Sequence, residues 1–261
     1  MEVHHHPHVP THVKPWKEYL LEGIMIFIAV SFGYTAENIR EHYIETKKAV
    51  SSARNLYVDL VADSVEYASS LQRRQWQEDY FDILNKSYQS NQITKDIPTV
   101  YAAHQLLAQR LMPIMNNMAL DEVKNSGALK FIDDKKLKVA IQAYSSMAAN
   151  IKVREQREFG YIDRLVDPLT VGYFQFDFYR KFSYNTKIVN KKIIIDMPIP
   201  PNLKIMNEDK LDWNQYMATL GMLQMIREST NEVTIIPTQK KCNELLVLLR
   251  AYLIEHNAFN E

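Results

Sequence analysis

Hydrophobic and polar positions divide the chain into one short, almost purely apolar stretch near its start and a long remainder with helical periodicity. In the stretch EYLLEGIMIFIAVSFGYTAENIRE, every residue between Glu22 and Glu37 is uncharged. As a helix, residues 16–38 are about 33 Å long, against roughly 30 Å of bilayer hydrocarbon. The pattern predicts a transmembrane helix over residues 16–38, with both glutamates near the interfaces or facing protein. A buried core helix and a cleaved signal peptide are the alternatives.

One face of this predicted span combines small residues with acidic and basic ones. The positions that share it are Glu22, Ile26, Ala29, Gly33, Ala36 and Arg40, with Glu37 beside them. Their spacing of four and three places them on one side of a helix. Ala29 and Gly33 also form a small-xxx-small pair, which lets helices approach closely in lipid. We expect this face to pack on other transmembrane helices, either copies of this chain or a partner subunit. The alternative is that the two glutamates only reach the lipid headgroups.

After the span, apolar residues recur every three or four positions, which predicts helices. Residues 39–166 are predicted to form the core of a helical bundle, with breaks near Pro98 and Gly127. The second helix is predicted from Thr99 to Met118, with a kink at Pro113.

The last third of the chain changes character before it becomes helical again. Residues 167–205 are rich in aromatic, β-branched and proline residues, which predicts an irregular segment or a small β-hairpin. Residues 206–261 are predicted to close the chain with a pair of helices. The predicted fold class is therefore mainly α: an N-terminal transmembrane helix continues into an antiparallel helical bundle that carries a small irregular or β-hairpin insertion.

The first fifteen residues form a histidine-rich tail, interrupted by prolines. Its imidazoles belong to His4, His5, His6, His8 and His12. Neutral imidazoles are ligands for zinc, copper or nickel, so the tail is a candidate weak metal-binding segment. A surface patch that responds to protonation is an equally good interpretation.

Composition and motifs narrow the functional classes. The 31 basic and 31 acidic residues balance, which argues against a nucleic-acid-binding protein. The single cysteine, Cys242, lies in an apolar helical pattern and is predicted to be a buried small hydrophobe. The sequence has no Gly-rich phosphate loop, HExxH, CxxC or nucleophile elbow, so we expect no cofactor and no enzymatic activity. The charges of Arg154, Glu155, Arg157 and Glu158 are interpreted as a solvated helix face.

Three segments carry a resemblance to a known family. They are WKEYLLEGIMIFIAVSFGYTAENIREH, the acidic pair Asp59 and Asp63 in VDLVADS, and LDEVKNSGALKFIDDKKLKVAIQAY. Over roughly residues 14–150 the chain resembles uncharacterised bacterial single-span membrane proteins with a helical domain. The resemblance implies a Gram-negative inner-membrane protein and supplies no catalytic residues. The lysines and arginines that flank the span are nearly balanced, and we expect a periplasmic bundle because a lone N-terminal anchor commonly exports the domain that it precedes.

The function predicted from these features is that of an accessory or scaffold subunit of a membrane assembly, with lipid and other transmembrane helices as its partners. A homo-oligomeric cation channel, with Glu22 and Glu37 as acidic rings, is an alternative. A ligand-sensing membrane-anchored bundle is another. A pore would need polar residues along the shared face, yet Ile26, Ala29 and Gly33 are apolar, which favours the accessory role.

Overall fold

The computed structural model describes residues 15–182 and 184–259, and one helix dominates it. Helix α1, Trp16–Gln89, runs 74 residues without a break, which corresponds to about 110 Å at 1.5 Å per residue. No residue of α1 between positions 16 and 48 is buried, and residues 16–40 form its projecting part. From Ala49 to Leu84, in contrast, a buried residue recurs at almost every third or fourth position. The prediction that the apolar helix continues straight into the bundle is confirmed.

The other elements pack around the second half of α1. They are α2 (Ile97–Leu107), α3 (Met118–Asn125), α4 (Ala128–Phe131), α5 (Lys135–Tyr161), α6 (Asp167–Tyr173), α7 (Phe176–Phe182), β1 (Thr186–Val189), β2 (Lys192–Ile195), α8 (Trp213–Thr230) and α9 (Ile236–Glu255). Strands β1 and β2 form an antiparallel hairpin in which Thr186 lies opposite Ile195. Helix α1 packs mainly against α9, and α9 also packs against α5. The predicted fold class, mainly α with a small β-hairpin insertion, is therefore confirmed.

Two π-helical turns each join a pair of helices end to end. A π-helical turn at Ile162–Val166 connects α5 to α6, and another at Asn231–Ile235 connects α8 to α9. Each turn is followed two positions later by a proline, Pro168 or Pro237. Proline donates no hydrogen bond and its ring crowds the carbonyl four residues earlier, and a widened turn accommodates both effects. The two C-terminal helices therefore follow one another along one helical run and do not fold back as a hairpin.

Aspartates and one glycine set several helix boundaries. Asp96, Asp134 and Asp212 each accept hydrogen bonds from backbone N–H groups in the first turn of α2, α5 and α8. These bonds satisfy N–H groups that have no partner inside the helix. Gly127 separates α3 from α4 in a left-handed conformation with a φ of 81°. The break predicted at Gly127 is confirmed, and the conformation explains why glycine occupies the position.

The predicted helix from Thr99 to Met118 is wrong in its second half. Helix α2 ends at Leu107, and residues 108–117 are irregular. The carbonyls of Leu107, Gln109 and Leu111 accept hydrogen bonds from arginine side chains that reach across from α1 and α8. Because these buried side chains satisfy the carbonyls, the segment gains little from continuing as a helix.

The core consists of two hydrophobic clusters with a polar layer between them. The first cluster lies nearest the projecting part of α1 and joins α1 to α3, α4, α5 and α9. The second lies at the far end and joins α1 to α2, α8 and the segment around the hairpin. The buried polar residues between them include Ser70, Arg74, Gln77, Glu158, Arg227 and Thr230. Cys242 is fully buried in the first cluster, where its thiol lies 3.5 Å from the Leu60 carbonyl, as its pattern predicts.

Candidate functional site

The projecting part of α1 carries the face that the sequence singles out. Its residues Glu22, Ile26, Ala29, Gly33, Ala36, Glu37 and Arg40 are all exposed. A Cβ atom added at Gly33 would meet no atom within 4 Å. The Arg40 guanidinium holds the Glu37 carboxylate in a two-pronged contact, with Nη2–Oε1 at 2.6 Å and Nε–Oε2 at 3.0 Å. The face is therefore unpacked within the described chain and open to a partner.

Helix α1 is long and apolar enough to cross a membrane. Among residues 15–182 and 184–259 it is the one helix that meets this condition, and no part of its most apolar 18-residue stretch is buried. A helix in the core of a soluble protein would be enclosed by other elements, so the exposure of this stretch disfavours the interpretation of α1 as a core helix. The same length and composition near an N-terminus also fit a signal sequence.

A fully buried carboxylate lies at the centre of the polar layer. Glu158 on α5 accepts hydrogen bonds from Arg74 on α1, with Nη1–Oε1 at 3.2 Å and Nη2–Oε2 at 2.9 Å. It also accepts from Nε of Arg227 on α8, at 3.1 Å. All three side chains are almost completely enclosed. One carboxylate thus links three long helices at the same level of the bundle.

The two arginines also donate hydrogen bonds to the end of α2, to the irregular segment after it and to the second π turn. Arg74 Nη1 donates to the Leu111 carbonyl at 2.8 Å, and its Nε donates to the Asn231 side chain in the second π turn. Arg227 Nη2 donates to the carbonyls of Leu107 and Gln109 at 2.7 and 3.0 Å. Hydrogen bonds from a charged donor are stronger than neutral ones, so the layer fixes this segment as well as the helices.

The arginine–glutamate group in this layer contains one more positive than negative charge. Burial lowers the pKa of Arg227 to about 10, while the negative charge of Glu158 opposes this shift. The arginine therefore stays protonated at neutral pH. Its Nη1 is buried and has no hydrogen-bond partner within the described residues. Carbonyl and amide dipoles offset part of the excess charge, which is costly inside a core.

The interpretation of Glu158 as part of a solvated helix face is wrong. A seven-residue repeat could have revealed its burial: Leu137, Tyr144, Ile151 and Glu158 are spaced by seven and are all buried. The same repeat contains Leu60, Tyr67 and Arg74 on α1, and Leu220 and Arg227 on α8. Residues seven apart lie on nearly the same side of a helix. The three charged residues therefore occupy core positions of their helices.

The acidic pair Asp59 and Asp63 fastens the start of α3 to α1. Asp59 accepts from the Asn116 side chain at 2.8 Å and from the backbone N–H of Ala119 at 3.2 Å. Asp63 accepts from the backbone N–H of Asn116 at 3.0 Å and from the hydroxyl of Tyr144 at 3.2 Å. Burial raises the pKa of Asp63, while these two hydrogen bonds oppose the shift. The two aspartates of α1 therefore act as a clasp: they accept hydrogen bonds from the chain at the start of α3 and so cap that helix.

A buried histidine, His104, lies in the second cluster. The ring of His104 contacts the hydroxyl of Tyr216 through Nδ1 at 3.1 Å and Oγ1 of Thr170 through Nε2 at 2.9 Å. It stacks on Phe174 with ring centroids 4.1 Å apart. Burial lowers the pKa of His104 to about 3, so the ring is neutral under physiological conditions. Both ring nitrogens contact hydroxyls, and the geometry is that of a core histidine.

Metal binding by the histidine-rich tail remains a prediction. Its residues His4, His5, His6, His8 and His12 lie outside the described residues. Among the residues that the structure describes, no group of three or more His, Cys, Asp or Glu side chains is placed to hold a metal ion.

Comparison with known proteins adds no family assignment. No protein-family model matches the chain, and neither a curated protein nor a solved structure matches it. Membership of a bacterial family of single-span membrane proteins therefore stays a prediction, as do the inner-membrane location and the periplasmic bundle. The unpacked face of α1 and its continuity with the bundle are the geometric features that bear most directly on function.

Proposed function

We propose that this protein is a non-enzymatic membrane-anchored subunit that acts as an accessory or scaffold in a membrane assembly, with residues 16–38 crossing the bilayer. One observation carries the proposal. The apolar part of α1 is exposed along its entire length, while the same helix forms the spine of the folded bundle. A continuous apolar surface of this size is unfavourable in water, and a bilayer removes it while the helix satisfies its own backbone hydrogen bonds.

The distribution of residues around the span supports a protein partner. Ala29 and the open surface at Gly33 leave room for a second helix to approach closely. Bulky groups suited to lipid, such as Phe27 and Ile28, lie toward the other side. The Glu37–Arg40 pair sits where the span ends, and charged groups in such a position usually face protein or water. The partner is another transmembrane helix, either from a second copy or from a different subunit.

A ligand-sensing membrane-anchored bundle is the second candidate function. It is favoured by a cavity of about 410 Å³ in the distal half of the bundle, between α1 and the hairpin. A cation channel has less support because the face that would line the pore is apolar at Ile26, Ala29 and Gly33.

The experiment is a measurement of native mass after extraction from the membrane in mild detergent. We expect a complex heavier than one chain, and we expect Gly33→Leu to reduce it to the mass of one chain with an unchanged circular dichroism spectrum. Gly23→Leu is the matched control, because Gly23 lies on the same exposed helix about 80° away from Gly33 at 100° per residue. An unchanged complex in the Gly33→Leu variant would refute the proposed interface. Recovery of the wild-type chain in the soluble fraction would refute the anchor.

A further inference from the structure

Strand β1 has an edge without a neighbouring strand. Among the described residues the sheet consists of β1 and β2 only, and β2 packs against α1 and α2. The backbone N–H of Asp196 donates to the Asn185 carbonyl at 2.7 Å, so these two residues form a hydrogen-bonded pair. Hydrogen-bonded and non-bonded pairs alternate along antiparallel strands, so Thr186 and Ile195, the next pair, are not bonded to each other. The N–H and C=O groups of Thr186, and by the same alternation those of Ile188, therefore point away from β2.

These backbone groups have no hydrogen-bond partner within residues 15–182 and 184–259. An open edge of this kind is a template with which another strand can pair. A two-stranded hairpin is marginally stable by itself, and a third strand increases its stability. The open edge of β1 thus presents one N–H donor and one C=O acceptor to an incoming strand at Thr186, and the same pair of groups at Ile188.

A cavity of about 410 Å³ lies along this edge and reaches Gln77 of the polar layer. Thr186, Lys187 and Ile188 line the cavity in succession, although side chains alternate between the two faces of a strand. The Lys187 side chain reaches across the hairpin to the carboxylate of Asp196 at 3.2 Å, away from the open edge. The border of the cavity is therefore the backbone edge of β1, with α1 and the segment around the end of α2 as the other two walls.

The other two walls suit the side chains of an added strand. Trp76 and Tyr80 on α1 and Leu106 at the end of α2 supply apolar surface. Thr186 and Ile188 lie on the partly buried face of β1. The side chains of a third strand would alternate in the same way, so every second one would enter the cavity. The walls therefore favour a strand with apolar residues at alternate positions.

The histidine-rich tail of this chain is too far away to supply that strand. Residues 1–14 span at most about 50 Å when fully extended. Trp76, in the cavity wall, lies about 90 Å along α1 from Trp16, at 1.5 Å per residue. In a second copy, the β1 edge borders the same cavity of its own bundle, where α1 leaves little room for edge-to-edge pairing. An extended segment of a different protein fits the space best.

We propose that the open edge of β1 binds an extended segment of a partner protein as a third, antiparallel strand with apolar residues at alternate positions. An extended backbone repeats its N–H and C=O groups every second residue, about 6.8 Å apart, which matches the spacing of the groups at Thr186 and Ile188. This role goes beyond the scaffold function and does not depend on it, because none of the lining residues belongs to the projecting part of α1.

The first test leaves the protein unchanged and alters the peptide. The probe is a fluorescein-labelled peptide of seven alternating valines and threonines, and its anisotropy is measured with full-length protein in phosphatidylcholine nanodiscs, with empty nanodiscs as background. We expect a Kd below about 1 mM. In an antiparallel pair, opposite residues share a side-chain face, so the valines that enter the cavity also carry the N–H groups that face β1.

N-methylation of the peptide distinguishes its two edges. We expect methylation of the valine amides to weaken binding about tenfold or more, because it removes the donors to β1. Methylation of the threonine amides is the matched control and should change the Kd by less than about twofold. Absence of binding of the unmethylated probe at about 3 mM overturns the proposal, as does any other order of the two methylated peptides.

The second test places binding at β1. Thr186→Pro removes one outward N–H and leaves the bonds between β1 and β2, so we expect about fivefold weaker binding of the unmethylated peptide. Ile195→Pro, directly opposite on β2, removes an N–H from the other edge and should leave binding unchanged. Amide exchange at Lys187 checks that the hairpin is intact in both variants. Equal affinity of the wild type and Thr186→Pro refutes the site, and a lower native mass of purified Thr186→Pro alone would assign the edge to a second copy and overturn the proposal.

Discussion

The Arg74 guanidinium lies 2.9 Å from the Glu158 carboxylate, between Nη2 and Oε2, and both side chains are completely enclosed. Arg74 belongs to the helix that projects from the bundle, and Glu158 comes 84 residues later in the chain. Desolvation offsets much of the attraction in such a pair, so its presence is weak evidence for stability. The pair has a clearer effect on the axial position of α1 relative to α5, because sliding α1 along α5 by one turn would separate the two charges.

Replacing Glu158 by glutamine should destabilise the protein strongly. The change leaves Arg74 and Arg227 buried without a counter-charge, and breaking a buried ion pair in this way costs about 3–5 kcal/mol. The free energy of unfolding can be measured by guanidinium titration of the full-length protein in mild detergent. Glu155→Gln, on the same helix but partly exposed, should change it by less than about 0.5 kcal/mol. Similar stability of the two variants would contradict the central position of Glu158.

Replacing Arg74, Glu158 and Arg227 together by apolar residues should leave the protein less stable than the wild type. In Arg74→Met, Glu158→Leu, Arg227→Met no charge is left unpaired, and an apolar substitute for a buried ion cluster is often neutral or stabilising. Here the replacement also removes the donors to the carbonyls of the segment after α2, and each unsatisfied carbonyl costs about 1–3 kcal/mol. We expect lower stability than wild type and faster amide exchange in residues 108–117. A triple variant at least as stable as wild type would show that the segment does not depend on these arginines.

The stability of the protein should fall on acidification because of His104. Its pKa is about 3 in the fold and ordinarily 6.5, so below pH 6.5 the unfolded chain binds a proton that the folded protein excludes. The contribution of His104 to the free energy of unfolding is fully present above pH 6.5 and is lost as the pH falls toward 3. Between pH 7 and pH 5 the expected loss is about 2 kcal/mol. Unfolding titrations at several pH values should show this slope in the wild type and a flatter one in His104→Gln.

A second histidine serves as the control for the pH experiment. His256 comes directly after α9 and is partly exposed, so His256→Gln is the same substitution made outside the core. If His104→Gln and the wild type lose the same free energy on acidification, the ring of His104 is not the group responsible.

The clasp formed by Asp59 should stabilise the start of α3. Asp59→Ala removes the acceptor for the Ala119 N–H, and the loss of a helix cap costs about 1 kcal/mol. Hydrogen exchange should accelerate at the first turn of α3 and leave α5 unchanged. Asp82→Ala, an exposed aspartate on the same helix, should alter neither stability nor exchange. Unchanged exchange at Ala119 in the Asp59→Ala variant would mean that the cap contributes nothing.

The sequence predicted those features that depend on local chemistry. The long apolar helix, the break at Gly127 and the hairpin within residues 167–205 all arise from periodicity or from conformational preference. The irregular segment 108–117 was not predicted, because its geometry is set by arginines from other helices.

Glu158, in the candidate site, also could not be predicted from local sequence. The charge pattern of VREQRE is typical of a solvent-exposed helix surface, and only the seven-residue repeat with Leu137, Tyr144 and Ile151 points inward. Its partners lie 84 and 69 residues away, on α1 and α8, and no short sequence window contains them. The cavity beside the layer also depends on three distant segments and had no signal in the sequence.

The unbroken course of α1 links the orientation of its projecting part to that of the bundle. At 100° per residue, the side of α1 that carries Glu22 and Gly33 points about 180° away from the side on which Ala49 and Tyr67 enter the core. A helix bound to this face of the projecting part would therefore continue along the outer side of α1, away from the core. Along that side it would meet a row of exposed valines, Val58, Val61 and Val65.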